Sequence, residues 1–129
     1  MFELNIQKQH LLTPLLTVAG AVDKKQSLAI LSNILLKLCD DELVLTATDL
    51  EIEMSARIPC HGKGTGVITV PAKKFVDIIR SLDDDANPTL SCQLDEVSIK
   101  AARSRFKLAS LPADNFPGNE DEQSEVEFS

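Results

Sequence analysis

The chain has 129 residues, 43% of them hydrophobic and 26% charged, with a net charge of −7. That is one domain's worth of sequence, apolar enough to bury a core and too apolar for wholesale disorder. No apolar run reaches the roughly 18 residues of a membrane span, and Met1-Phe2-Glu3-Leu4-Asn5 lacks the basic start of a secretory signal, so a cytoplasmic protein without a membrane partner is expected.

The elements read in chain order. Phe2, Leu4 and Ile6 alternate with polar residues and predict a half-buried strand. Leu11, Leu15, Val18 and Val22 fall at helical spacing and predict an amphipathic helix from about Gln9 to Ala21, with Pro14 tolerable only near its first turn. Residues 23–32 read as a connection. Ile34, Leu36 and Leu38 start a strand, Asp40-Asp41-Glu42 turns the chain, and Leu43 to Thr48 forms the next strand. Leu50, Ile52, Met54, Ala56 and Ile58 then share one parity, predicting a strand with one face on a core.

Cys60 to Gly66 contains three glycines and reads as a flexible loop. Val67 to Val70 is a short strand, and Pro71 opens a second helix, ended by Asp83-Asp84-Asp85 and Asn87-Pro88. Three strands follow, at 89–94, 97–102 and 103–110. A last alternating piece, Val126 to Phe128, lies at the end of the chain, as if a new strand were beginning in a longer protein. The order is βαβββ twice: an α+β domain with two helices and about eight strands, mostly in antiparallel connections.

The charge is uneven. Residues 112–129 carry six acids and no base, which leaves the body near neutral and able to bear a basic face. Two places invite attention. On the second helix, Ala72, Phe75, Val76, Ile79 and Leu82 form a core side, Lys73, Asp77 and Arg80 a second side, and Lys74, Ile78 and Ser81 a third. Ile78 is either a scattered exposed apolar residue or part of a contact surface. On the last long strand, Arg103, Arg105 and Lys107 share one parity, opposite Ser104, Phe106 and Leu108. This row is an edge protected by charge, a set answered by the chain's own acids, or an edge for an acidic partner.

Catalytic signals are weak. The three cysteines (Cys39, Cys60, Cys92) are widely spaced and do not form a zinc or disulfide pattern. The glycines after His61 lack the helix that follows a phosphate loop. His61 beside Cys60 is not a nucleophile–base pair, and Glu51 with Glu53 reads first as a solvated strand face. No cofactor is expected.

The segments HLLTPLLTVAG, TDLEIEM, TVPAKKFVDIIRSL, RSRFKLASLPADNFP and QSEVEFS resemble the first domain of the bacterial DNA polymerase III beta subunit family, the sliding clamps. The resemblance implies a clamp-domain fold, with residues 1–129 as the first of three domains, and a head-to-tail homodimer forming a ring around double-stranded DNA. It implies processivity without catalysis. The polymerase and clamp loader would dock on later domains. Lys25, Lys73 and Arg80 would face DNA in sequence-blind contacts. Lys74, Ile78, Arg103, Arg105, Phe106 and Leu108 would form one side of the ring closure. The polar side of the first helix (Gln9, Thr13, Thr17, Gly20) carries no base, and Asp77 lies on the proposed DNA side of the second, so DNA contact here would be weak. The rival readings are a stand-alone interaction module with an acidic partner and, more distantly, an enzyme built on His61 or Glu51/Glu53.

Overall fold

The computed structural model describes residues 2–20, 32–48, 52–93, 95–101 and 103–113. Lys25 and most of its connection, Leu50, Glu51, Leu94, Ala102 and the acidic segment from 114 onward, Val126 to Phe128 included, lie outside the described residues. The elements are β1 (Phe2–Asn5), α1 (Lys8–Ala19), β2 (Asn33–Cys39), β3 (Glu42–Thr48), β4 (Glu53–Pro59), β5 (His61–Lys63), β6 (Gly66–Pro71), α2 (Ala72–Ser81), β7 (Thr89–Cys92), β8 (Glu96–Ala101), β9 (Ser104–Ala109) and β10 (Leu111–Pro112).

They form two five-stranded antiparallel sheets, ordered β5-β1-β7-β8-β9 and β10-β6-β2-β3-β4. Each half of the chain runs strand, helix, then four strands, and the two sheet orders are the same under exchange of the halves. The first strand of each half is lent to the other half's sheet. β1 pairs with β7, Leu4 opposite Leu90, and β6 pairs with β2, Ile68 opposite Leu36. Neither half can then close its sheet alone, which makes the duplicated pattern one cooperative domain.

The apolar parities chosen in the sequence meet in one core. Leu4, Leu11, Leu15, Ile34, Leu36, Leu38, Leu43, Leu45, Phe75, Ile79 and Leu90 are among its fully buried side chains. The helices pack side by side, and α1 also rests on β3 and β4. Burial of this apolar area from water is the main force holding the helices to the sheets.

The structure corrects the sequence reading in four places. The glycine-rich 60–66 segment is not simply a loop. His61–Lys63 pairs with β1 and Gly66 already belongs to β6. That needs small residues, because a Cβ on Gly62 would overlap the Asp40 carbonyl oxygen and come within 2.9 Å of Leu38 Cδ1. Second, α1 begins at Lys8, so Pro14 sits in its interior, where it withholds an N–H from the His10 carbonyl. Third, the apolar parity of β4 is only partly buried: Ile58 is in the core, Met54 and Ala56 are half-buried, and Ile52, before the strand, is 58% exposed. β4 is an edge strand and its early end runs past the core. Fourth, Pro71 is the last residue of β6 and the N-cap of α2, which starts at Ala72.

Candidate functional site

Helix α2 and strand β9 carry most of the residues singled out in the sequence. The apolar spacing of α2 buries Ala72, Phe75, Val76 and Ile79 and leaves two flanks outside. On one flank Lys73 and Arg80 are exposed, seven residues apart, hence about 10 Å along the axis. Asp77 is exposed between them, yet among the described residues neither cation forms an ion pair. Arg80 lies in the last turn, where the helix dipole favours a cation. On the other flank Lys74 is exposed and Ile78 is half-buried against the core.

Strand β9 runs beside α2 and has only one sheet neighbour, β8. Its outer edge is therefore unpaired among the described residues, a row of N–H and C=O groups open to another strand. Phe106 is half-buried on the core side of this edge, and Leu108, at 5% exposure, belongs to the core itself and anchors the strand from beneath. Arg105 and Lys107 project to the opposite, outer face. Arg103 occupies the turn before β9 and is exposed. Lys107 is answered within the chain by Glu96 at 3.7 Å. Arg103 and Arg105 have no ion-pair partner among the described residues.

One residue that supports this site is absent from the sequence reading. Lys8, the first residue of α1, is only 6% exposed. Its Nζ donates to the Leu82 carbonyl and, at 3.3 Å, to the Arg80 carbonyl, and lies 3.4 Å from Asp84 Oδ1. A cation from α1 thus satisfies carbonyls that the end of α2 leaves without helical partners. The signal was present: Lys8 falls on the same stripe as Leu11, Leu15 and Val18.

The residues weighed for catalysis do not form one site: His61 and Cys60 share a cavity that Glu53 does not line. His10, Cys60 and His61 line an open cavity of about 330 Å³ with Asn5, Gln7 and Asn87. Burial, and then the nearby charges of Asp41 and Glu42, push the Cys60 thiol up, away from a reactive thiolate. Burial pushes Cys92 up to about 12. Glu53 is exposed on β4. Among the described residues no group of three or more His, Cys, Asp or Glu side chains is placed to hold a metal, and no helix is long and apolar enough to cross a membrane.

Two antiparallel sheets exchanging their first strands behind a pair of helices are the architecture of a sliding-clamp domain, and residues 2–120 match the family model described as DNA polymerase III beta subunit, N-terminal domain. The chain belongs to that family. It is 48% identical over 125 residues to a beta sliding clamp of Vibrio harveyi, covering 96% of this chain and 86% of that sequence. It is 47% identical to the beta sliding clamp of Vibrio cholerae, again over 96% of this chain but 34% of the relative. A DnaN sliding clamp structure from Pseudomonas aeruginosa, bound to griselimycin, superposes with a TM-score of 0.85 at 42% identity, covering 90% of this chain and 32% of that one. The chain thus spans about a third of the length of the Vibrio cholerae and Pseudomonas proteins.

Proposed function

We propose that this chain is the first of three domains of a DNA sliding clamp, a non-catalytic, cytoplasmic processivity factor whose ring encircles double-stranded DNA and tethers the replicative polymerase. The observation that carries the reading is the division of labour on α2. One flank offers to solvent two cations that are unpaired among the described residues, and the other adjoins an apolar seam and an open strand edge. Lys73 and Arg80, with Lys25 from the connection after α1, are the DNA-facing residues. Two or three phosphate contacts from flexible cations give weak, sequence-independent attraction, which suits a ring that must slide. Lys74, Ile78, Arg103, Arg105 and Phe106, with Leu108 holding β9 from the core side, form one half of a head-to-tail dimer contact. There a partner strand would add to β9, apolar groups would pack beneath it, and acids would meet the arginines. Polymerase and clamp loader would dock on the later domains.

The test is the salt dependence of DNA binding by a full-length clamp carrying this domain. Lys73→Ala with Arg80→Ala should lower the slope of log K against log salt by about 1.8, roughly 0.9 for each lost phosphate contact. An unchanged slope would remove both residues from the DNA-facing wall.

A further inference from the structure

The register of the outer sheet places a cation that the strand pattern of β9 alone does not reveal. Lys100 on β8 is directly opposite Arg105 on β9, and both are exposed on the outer face. Directly opposed residues of an antiparallel pair have Cβ atoms about 5 Å apart, and like charges so placed repel. Across the sheet, Lys100 is followed by Thr89 and then Asn5, neither of them acidic. Among the described residues neither Lys100 nor Arg105 forms an ion pair. The neighbouring row differs. Lys107 lies opposite Ser98 and is answered diagonally by Glu96. One row is neutralised at home, and the other holds, among the described residues, two unanswered positive charges, Arg105 on the edge strand and Lys100 on the strand beside it.

Resting on the ring-closure reading above, we infer that Lys100 is a further recognition residue of the dimer contact. With Arg105 it forms a cation pair that takes carboxylates from an acidic strand of the second subunit. The occupant follows from charge complementarity: among the described residues no carboxylate answers the two side chains, and an acidic strand added at the β9 edge would relieve their repulsion. A neutral or basic strand leaves it in place. Lys107, already paired, contributes little. The arrangement also weakens association with a wrong strand, since a basic edge brought to this row meets two like charges.

The test compares Lys100→Glu, Lys107→Ala and Arg105→Glu in a full-length clamp, reading the dimer dissociation constant by sedimentation or subunit exchange at low and high salt. Lys100→Glu should raise the dissociation constant about tenfold or more at low salt, and less at high salt, where exposed charges are screened. Lys107→Ala should change it by less than about twofold. If Arg105→Glu loosens the dimer and Lys100→Glu does not, the inference about Lys100 fails while the closure reading stands. If neither loosens it, the closure reading itself falls. The milder Lys100→Gln in the 129-residue chain guards against a folding artefact. Because it removes a repulsion, it should melt at the same temperature as the parent or higher. A lower melting temperature would mean that Lys100 serves the fold rather than the contact, which overturns the inference.

Discussion

The two halves of the molecule follow one plan and carry different surfaces. α1 and α2 occupy equivalent places, yet the outward positions of α1 are Gln9, His10, Thr13, Leu16 and Thr17, without a lysine or arginine and with Leu16 at 44% exposure, whereas those of α2 include Lys73, Lys74 and Arg80. β4 and β9 are the equivalent free edges. On β4 the one base, Arg57, lies 3.5 Å from Glu42 on the adjoining β3. On β9 Arg105 has no such partner among the described residues, and Lys100 stands beside it. Backbone topology therefore supplies two helix faces and two sheet edges, and side-chain charge decides which of them is free to meet an anionic or acidic partner. A fold that duplicates its scaffold can assign its halves separate tasks without changing a single connection.

The comparison breaks most severely where the halves are least alike in the backbone. β5 reaches β1 by crossing the tip of the β2–β3 hairpin. There Cys60 N–H donates to the Asp41 carbonyl at 2.8 Å and Gly62 N–H to Asp41 Oδ1 at 3.2 Å. Asp40, at φ 55°, turns its carbonyl toward Gly62. The matching strand of the other half, β10, carries Leu111 and Pro112 and tolerates full side chains. Gly62→Ala should therefore cost about 3 kcal/mol, because the added methyl meets backbone rather than a yielding side chain. Leu111→Ala, at an exposed position, should cost less than about 1 kcal/mol. Urea unfolding of the two variants measures the difference, and equal losses would mean that the crossing yields more easily than its geometry implies.

A smaller effect joins the halves. Lys8 belongs to α1 and its hydrogen bonds serve α2, whereas the residue that opens α2, Ala72, has no side-chain donor to return. Lys8→Met keeps most of the side-chain volume and leaves the Arg80 and Leu82 carbonyls without this donor. A loss of about 2 kcal/mol is expected, with faster hydrogen exchange concentrated at the end of α2. Exchange that rises evenly over the domain would show that Lys8 supports the core in general and not that helix end.

Much of this was legible in the sequence, for reasons that individual residues make plain. The alternation in Phe2-Leu4-Ile6 and the spacing of Phe75, Val76 and Ile79 report burial directly, so both helices and most strands are legible, as is the repetition, although each half ends in one strand more than the βαβββ read from the sequence, β5 and β10. What was missed depends on partners far along the chain. His61–Lys63 is a strand only because β1 offers an edge, and its glycine is demanded by Asp40, more than twenty residues earlier. Ile52 matches a buried parity, yet burial there depends on where the core ends. Arg103, Arg105 and Lys107 look alike in a strand pattern. The structure separates them, since Glu96 reaches Lys107 alone. Lys100 was invisible for the same reason: only the register brings it opposite Arg105.

The smallest effect is expected at the edge whose one base is already answered, and its smallness is informative. Arg57 and Glu42 are exposed, 75% and 46% by side chain, and 3.5 Å apart. An ion pair of that kind gains little in water, because solvent screens the attraction and two long side chains lose freedom in meeting. Arg57→Ala should shift the unfolding free energy by no more than about 0.5 kcal/mol. It should also leave the dimer dissociation constant of the full-length clamp unchanged. The same truncation at Arg105 should leave stability as little altered, since no partner in the described chain is lost, and yet weaken the dimer. Two arginines on equivalent edges, both negligible for folding, would then differ only in association. If Arg57→Ala loosens the dimer as much as Arg105→Ala does, charge is not what distinguishes the two edges, and the division of tasks between the halves must be sought in the strands themselves.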